Sequence, residues 1–260
     1  MNENRETLRQ ELRDGILLLT ICRPEAGNAI DIETAHALSA ALDRAETDEN
    51  VKAVILTGEG DKFFCAGQDL RVLSAGGAGS CYVEGKGWAG ITERAFPKPL
   101  IAAVNGYALG GGMEIALSCD LILAAVHARF GLPEVKRGIF AAGGGPIRLA
   151  RGLPRAFAME LLLTGEPVDA RHAMDAGMLC RVVPGEELLD EAMALAKRIV
   201  CNAPLSLRYT KELYYAAQGA TLEEAFRENE RIKPLIRNSE DAREGPRAFA
   251  EKRPPVWKGR

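Results

Sequence analysis

The chain has 260 residues, of which 47% are hydrophobic and 27% are charged, and its formal net charge is −3. This length can bury a large core, in one large domain or two small ones. The charge balance argues against general nucleic-acid binding, which usually leaves a strongly basic surface. No apolar run approaches the ~20 residues that span a bilayer. We therefore expect neither nucleic acid nor a membrane among its partners.

The N-terminus and the cysteines predict the compartment. The first eleven residues alternate in charge and lack an apolar core, so they do not resemble a secretory signal. The six cysteines form no C-x-x-C pair and do not cluster with the three histidines. We expect reduced, mostly buried thiols, no metal site and a cytoplasmic protein.

The first two-thirds of the chain alternates short apolar runs with helical patterns. Four runs bounded by Gly, Pro, Asp or Asn are strand candidates, and residues 32–44 have helical spacing. Continuous apolar runs separated by helices predict an α/β architecture with parallel strands. The strand candidates are residues 15–23, 51–58, 100–105 and 121–125.

From about Pro154 onward helical patterns dominate, with a capping box predicted at Thr221 and Glu224. Residues 227–260 contain ten Lys or Arg and six Asp or Glu, which indicates either a solvated face or contact with an anionic cofactor. Residues 75–87 contain five glycines and are typical of a loop or lid. The predicted helices cover residues 155–163, 186–200, 205–218, 222–236 and 240–252.

Two glutamates follow turn signals and are the candidate acid–base groups. Gly110, Gly111 and Gly112 predict a tight turn that opens a short helix with Glu114 in its first turn. Glu134 follows Pro133 and is also predicted near a helix start. Each carboxylate could simply complement a helix dipole. As a pair beside bare backbone N–H groups, they suit proton transfer on a carbonyl compound.

A second backbone donor is predicted where an apolar run ends at Ala66 and Gly67. The following Gln68 would then expose its N–H, although an ordinary strand-to-helix corner capped by Asp69 explains the same pattern. The histidines lie away from both glutamates and there is no G-x-S-x-G motif, so we expect no nucleophilic triad.

Five ordered segments resemble the crotonase (enoyl-CoA hydratase/isomerase) superfamily over essentially the whole chain. The strongest is Ile101-Ala-Ala-Val-Asn-Gly-Tyr-Ala-Leu-Gly-Gly-Gly-Met-Glu. The others are Arg23-Pro-Glu-Ala-Gly-Asn-Ala-Ile, Phe64-Cys-Ala-Gly-Gln-Asp-Leu, Ala128-Arg-Phe-Gly-Leu-Pro-Glu and Ala248-Phe-Ala-Glu-Lys-Arg.

The resemblance implies an α/β fold: a spiral of ββα repeats over residues 1–200, followed by a helical region for trimerisation over 201–260. It implies a homotrimer or a dimer of trimers, an acyl-CoA thioester substrate and no separate cofactor. The N–H groups of Gln68 and Gly111 would bind the thioester oxygen. Glu114 would activate water and Glu134 would protonate the α-carbon.

The resemblance also implies which residues hold CoA, with Phe249 and Lys252 reaching over from a neighbouring subunit. The complete implied set is Arg23, Glu25, Ala26, Ala66, Asp69, Leu70, Arg71, Phe249 and Lys252.

Within the family, residues 239–260 are similar to the ends of bacterial carnitinyl-CoA dehydratases. After Glu134, however, many family hydratases carry Pro-x-x-Gly-Gly where this chain has Phe140-Ala-Ala-Gly-Gly-Gly, which leaves the acyl group open. We expect an enoyl-CoA hydratase. A Δ3,Δ2-enoyl-CoA isomerase that uses Glu134 alone, and an acyl-CoA-binding protein with little turnover, are the alternatives.

Overall fold

The computed structural model describes residues 6–74, 77 and 81–260, without the side chains of Leu70 and Leu73. The strands are β1 Leu8–Arg13, β2 Ile16–Ile21, β3 Ala53–Gly58, β4 Phe63–Cys65, β5 Tyr82–Val83, β6 Gly87–Trp88, β7 Leu100–Val104, β8 Tyr107–Leu109, β9 Leu121–Ala125, β10 Arg129–Gly131, β11 Val168–Asp169 and β12 Arg181–Val183. All four strand candidates from the sequence are confirmed, as β2, β3, β7 and β9.

The helices dominate the second half of the chain, as predicted. They are α1 Ile32–Thr47, α2 Leu70–Ser74, α3 Gly111–Leu117, α4 Gly145–Gly152, α5 Arg155–Thr164, α6 Ala170–Asp175, α7 Leu188–Val200, α8 Pro204–Ala217, α9 Leu222–Arg237 and α10 Glu240–Ala250. Helix α9 begins with the predicted capping box of Thr221 and Glu224. In the described ranges, 3-10 helices cover Pro24–Ala26, Pro133–Arg137 and Gly185–Glu187.

In the described part of the chain, ten strands form two sheets joined by a repeated ββα unit, and β5 and β6 form a separate two-stranded sheet. The larger sheet has the order β1-β2-β3-β7-β9-β12 and the smaller one β11-β10-β8-β4. In β3-β4-α2 and in β7-β8-α3, one strand enters each sheet before a helix follows. The pair β9-β10 repeats the pattern and leads into the 3-10 helix at Pro133–Arg137. This arrangement is the predicted spiral of ββα repeats.

The larger sheet is covered on both faces. Residues of β3 are buried along its whole length, as the continuous apolar run predicted. On one face, Ile16, Ile55, Ile101 and Leu123 pack with Leu188 of α7. The other face belongs to the main core, which includes Leu38 of α1 and Phe130 of β10. The spiral is thereby held between α7 and α1.

The sequence patterns missed the short strands. β4, β8 and β10 have three residues each, which is too short for a period-two pattern to emerge. Part of the predicted glycine-rich loop, residues 75, 76 and 78–80, lies outside the described residues, and residues 82–88 carry the β5–β6 hairpin. The division of the chain at residue 200 stays a prediction.

Candidate active site

The candidate site lies at the carboxyl ends of three neighbouring strands of the smaller sheet. β4, β8 and β10 run parallel, with β8 in the middle. Gln68 follows β4, Gly111 and Glu114 follow β8, and Glu134 follows β10. Because the carboxyl ends of parallel strands meet at one edge of a sheet, the spiral brings these four residues together.

The two predicted oxyanion donors lie in neighbouring turns, and neither has a partner in the part of the chain that the structure describes. Gly67 has a positive φ of 94°, and a β-carbon on it would lie 3.2 Å from the N atom of Gly111. The N–H of Ile30 donates to the O of Gly67, and the O of Ile30 accepts from the N–H of Asp69. These two bonds make a parallel β-bridge between Ile30 and Gln68, in which the N–H of Gln68 points away from Ile30. Within the described residues neither the Gln68 nor the Gly111 N–H donates a hydrogen bond. Unpaired backbone N–H groups of this kind can bind a carbonyl oxygen.

The glycines of the α3 turn are required by close packing. A β-carbon on Gly111 would overlap the Trp88 ring, and one on Gly112 would overlap the carbonyl oxygen of Cys65. Gly110 has φ 55° and ψ −128° at the N-cap of α3. Hence only glycine lets the helix start approach β4 and Trp88 closely enough to aim the Gly111 N–H outward.

Glu114 is buried in the first turn of α3 and is held by backbone donors. Its Oε1 accepts a hydrogen bond of 2.8 Å from the N–H of Gly145, at the start of α4. Burial raises the pKa of Glu114, while the N–H groups of Gly145 and Gly143 and the charge of Arg148 oppose that rise. The donors therefore favour the ionised form, which can act as a base.

Glu134 lies beside the turn that carries Gly110 and Gly111. A β-carbon on Gly110 would lie 3.0 Å from its Oε1, so the carboxyl group adjoins the oxyanion turn. Its Oε2 is buried without a hydrogen-bond partner in the described part of the chain. Burial, reinforced by the charge of Glu114, raises the pKa of Glu134 to about 7. A pKa raised in this way favours the protonated form, which can donate a proton.

Most of the predicted CoA-binding residues lie together beside this site. The N–H of Ala66 donates to the O of Gly27, which joins β4 to the Pro24–Ala26 helix that carries Glu25 and Ala26. Asp69 precedes α2, where the backbone of Leu70 begins the helix. The structure thus groups these residues at the edge that carries Gln68.

Arg23 and Arg71 meet at Asp69 but differ in exposure. The buried Arg23 guanidinium lies 2.9 Å from both Asp69 and Asp31, so its charge is already neutralised. Arg71 donates to Asp69 at 2.8 Å, and its side chain is 77% exposed. The Arg71 bonds hold the pKa of Asp69 well below its usual range. Arg71 is the better placed of the two arginines to reach a phosphate.

Phe249 and Lys252 lie elsewhere on the chain. Phe249 is 87% exposed on α10, and this helix packs against α9. Asp241 of α10 accepts hydrogen bonds from the backbone N–H groups of Lys258 and Gly259. The contact of Phe249 and Lys252 with the CoA of a neighbouring subunit stays a prediction. Across residues 6–74, 77 and 81–260 there is no cluster of three or more His, Cys, Asp or Glu side chains that could hold a metal ion.

The sequence patterns missed residues that shape the site from behind. Gly143 and Gly145 present N–H groups to Glu114, and Trp88 packs on Gly111. The only signal for the first pair is the glycine run before Pro146, which is typical of a turn into a helix and leads into α4. Nothing local to Trp88 indicates contact with a turn more than twenty residues away.

Comparison with known proteins matches this architecture. Residues 11–260 fit the family described as enoyl-CoA hydratase/isomerase. Carnitinyl-CoA dehydratases from Proteus mirabilis and Salmonella enteritidis are 42% and 44% identical to this chain, over 98% of it and 99% of each relative.

Solved structures are also similar to this chain in both sequence and fold. An enoyl-CoA hydratase from Mycobacterium marinum has a TM-score of 0.93 and 46% identity, covering 98% of this chain and 99% of its own. A carnitinyl-CoA hydratase from Mycobacterium avium has a TM-score of 0.78 and 46% identity, covering 99% and 100%. The chain belongs to the enoyl-CoA hydratase/isomerase family, and the predicted family and enoyl-CoA hydratase class are confirmed.

The described helices do not include one with the length and apolar character needed to cross a bilayer.

Proposed function

We propose that this protein reversibly adds water to the double bond of a trans-2-enoyl-CoA, with Glu114 and Glu134 as the catalytic pair. The observation that carries the proposal is the pair's unequal environment. Glu114 receives backbone hydrogen bonds, whereas Glu134 has a buried, unpartnered oxygen and a pKa raised to about 7. One group suits a base and the other an acid at the same pH.

The oxyanion donors would activate the substrate. The N–H groups of Gln68 and Gly111 would bind the thioester oxygen, which draws electrons from the conjugated double bond and makes the β-carbon electrophilic. Developing negative charge on that oxygen strengthens both hydrogen bonds, so the gain is largest in the transition state.

The glutamates would complete the addition. Glu114 takes a proton from water as the water oxygen bonds to the β-carbon, and Glu134 gives its proton to the α-carbon. The product gains one water in total, and proton exchange with solvent resets the two carboxyl groups. Dehydration follows the same steps in reverse, with the roles exchanged.

For the acyl group, we propose a carnitinyl-type chain that ends in a quaternary ammonium. The relatives named carnitinyl-CoA dehydratase support this. Tyr82 and Trp88 are directly paired across the β5–β6 hairpin and so share one face of it. Trp88 contacts Gly111, and the Tyr82 hydroxyl senses the charge of Glu114. The exposed Tyr82 ring, supported by the buried Trp88, suits a trimethylammonium group.

For the assembly, we propose a homotrimer or a dimer of trimers formed through the C-terminal helices. α9 and α10 expose large apolar side chains, namely Leu222, Phe226, Leu235 and Phe249. An exposed apolar surface of this kind is typical of an interface. In the trimer, Phe249 and Lys252 would join Arg71 around the CoA of a neighbouring subunit.

We also propose that the enzyme needs no cofactor besides the CoA of its substrate, because the two carboxyl groups and two N–H donors supply all proton and charge transfers of the reaction. A cytoplasmic location fits the cysteines, since Cys22, Cys65, Cys81 and Cys119 are buried like small apolar residues.

A panel of acyl-CoA esters tests the substrate. Loss of the enoyl-thioester absorbance would be followed with crotonyl-CoA, a branched, a long and an aromatic enoyl-CoA, and crotonobetainyl-CoA. We expect the highest kcat/KM with crotonobetainyl-CoA. A higher value with an uncharged chain would overturn the carnitinyl assignment, and no turnover with any ester despite binding would overturn the enzyme assignment.

A further inference from the structure

Arg148 lies behind Glu114 on α4 and has no catalytic role in the proposed reaction. It is half-buried, and burial lowers its pKa. The charges of Glu114 and Glu93 act on its guanidinium, but among the described residues neither forms a hydrogen bond with it. Its guanidinium donates hydrogen bonds to backbone carbonyl oxygens instead. Partial burial of a charge without an ion-pair partner costs free energy, which suggests a role for this arginine.

One group of contacts connects Arg148 with the base. Its Nη1 donates to the O of Gly143 at 3.4 Å, and a β-carbon on Gly144 would overlap Nη1. The guanidinium therefore packs against the turn whose Gly143 and Gly145 N–H groups stabilise the Glu114 carboxylate. The arginine supports the base both through this turn and through its positive charge.

The other contact connects Arg148 with the oxyanion donor. Its Nη2 donates to the O of Thr92. The buried Thr92 hydroxyl accepts a 2.8 Å hydrogen bond from the N–H of Trp88. The ring of Trp88 occupies the space where a side chain on Gly111 would project. Arg148 thereby connects, through Thr92 and Trp88, with the turn that aims the Gly111 N–H.

We propose that Arg148 is a positioning residue for hydration, whose single guanidinium fixes both the turn that holds the base Glu114 and the hairpin that supports the oxyanion donor Gly111. This inference rests on the proposed function. It predicts that losing the guanidinium weakens both groups at once, because each support starts from the same side chain. Substrate binding through the CoA residues is left intact.

Arg148→Ala tests the proposal, with Arg151→Ala as the matched control one turn further on the same helix. We expect kcat to fall about 10²-fold for Arg148→Ala, as for a small misplacement of catalytic groups, with KM within about threefold. The control should match the wild type. Ethylguanidinium should restore activity to Arg148→Ala, since Arg148 lines a cavity of ≈ 1050 Å³ that could admit it.

The pH profile separates positioning from general structural damage. Glu114 interacts electrostatically with the charged or titratable groups of Arg148, Glu134 and Tyr82. Removing the positive charge should move the acid limb of kcat/KM to higher pH, because Glu114 would then ionise less readily. Arg148→Lys keeps the positive charge, but its ammonium group cannot donate to both carbonyl oxygens as the guanidinium does. This variant should have a lower kcat with no shift of the acid limb.

A fluorescence measurement gives a readout independent of turnover. Trp257→Phe leaves Trp88 as the only tryptophan of the chain, and Trp257 bonds to the O of Cys201, away from the site. In that background, Arg148→Ala should shift the emission of Trp88, and ethylguanidinium should reverse the shift. Unchanged emission in folded protein, or an unmoved acid limb, would overturn the proposal. No hydration by the wild type would instead overturn the proposed function.

Discussion

Glu114 accepts a hydrogen bond from the backbone N–H of Gly145 at 2.8 Å, across the gap between α3 and α4. The partner carboxyl group, Glu134, has a buried oxygen with no hydrogen-bond partner among the described residues. Two like groups at the edge of one small sheet thus have different surroundings: burial raises the pKa of both, but only for Glu114 do backbone N–H groups of other residues and the charge of Arg148 oppose that rise. This asymmetry is what turns a pair of helix-start carboxylates into a candidate base and acid.

Removing either carboxylate should abolish hydration. We expect Glu114→Gln and Glu134→Gln each to lower kcat about 10²–10⁴-fold, because each removes one proton-transfer group. CoA-ester binding, measured by calorimetry, should stay near the wild-type value. Glu223→Gln, an exposed carboxylate on α9, is the control and should be unaffected. If only Glu134→Gln is inactive and a 3-enoyl-CoA is consumed, the protein is an isomerase.

The raised pKa of Glu134 predicts the alkaline limb of the pH profile. Hydration needs this group protonated, so kcat/KM for hydration should fall as the pH rises through about 7. Steady-state rates between pH 5 and 9, with a conformational check by circular dichroism, measure this limb. A rate that stays constant from pH 6 to 9 would contradict the assignment of Glu134 as the acid.

The same group links stability to pH. The folded-state pKa of Glu134 is raised from 4.5 to about 7, so its stabilising contribution is complete below about pH 4.5 and is lost as the pH rises through about 7. The shift corresponds to at most about 3 kcal/mol, reduced by solvent at the partly exposed site.

The free energy of unfolding of Glu134→Gln, relative to that of the wild type, should therefore be higher at pH 8 than at pH 5. The reason is that glutamine stays neutral while the buried Glu134 carboxyl must ionise. Urea unfolding of both proteins at the two pH values measures the change in the free energy of unfolding. An equal difference at both pH values would show that the Glu134 carboxyl is not desolvated.

The close contact of Gly111 with Trp88 predicts a strict requirement for glycine. Gly111→Ala should lower kcat about 10²–10³-fold, as for loss of one oxyanion donor, because the β-carbon displaces the turn. Gly152→Ala is the control, since no heavy atom lies within 4 Å of its β-carbon position at the end of α4. It should leave kcat unchanged. Equal kcat values for the two variants would contradict the role of the Gly111 N–H.

The sequence predicted what depends on local pattern. The glycine turn before Glu114 and the capping box at Thr221 come from neighbouring residues, and both were confirmed. The three-residue strands that bring Gln68, Gly111 and Glu134 to one edge have no readable period of their own, so only the resemblance indicated that these residues meet. The contacts of Arg148 with Gly143 and Thr92 depend on tertiary packing alone.

Reaction of crotonyl-CoA in D₂O tests the central hypothesis most directly, with the product analysed by mass spectrometry and NMR. We predict 3-hydroxybutyryl-CoA carrying one deuterium on the α-carbon, from the exchanged carboxyl group of Glu134, and a hydroxyl on the β-carbon from solvent. Deuterium incorporation without a β-hydroxyl, together with conversion of a 3-enoyl-CoA to the 2-enoyl isomer, would contradict hydration by the Glu114 and Glu134 pair.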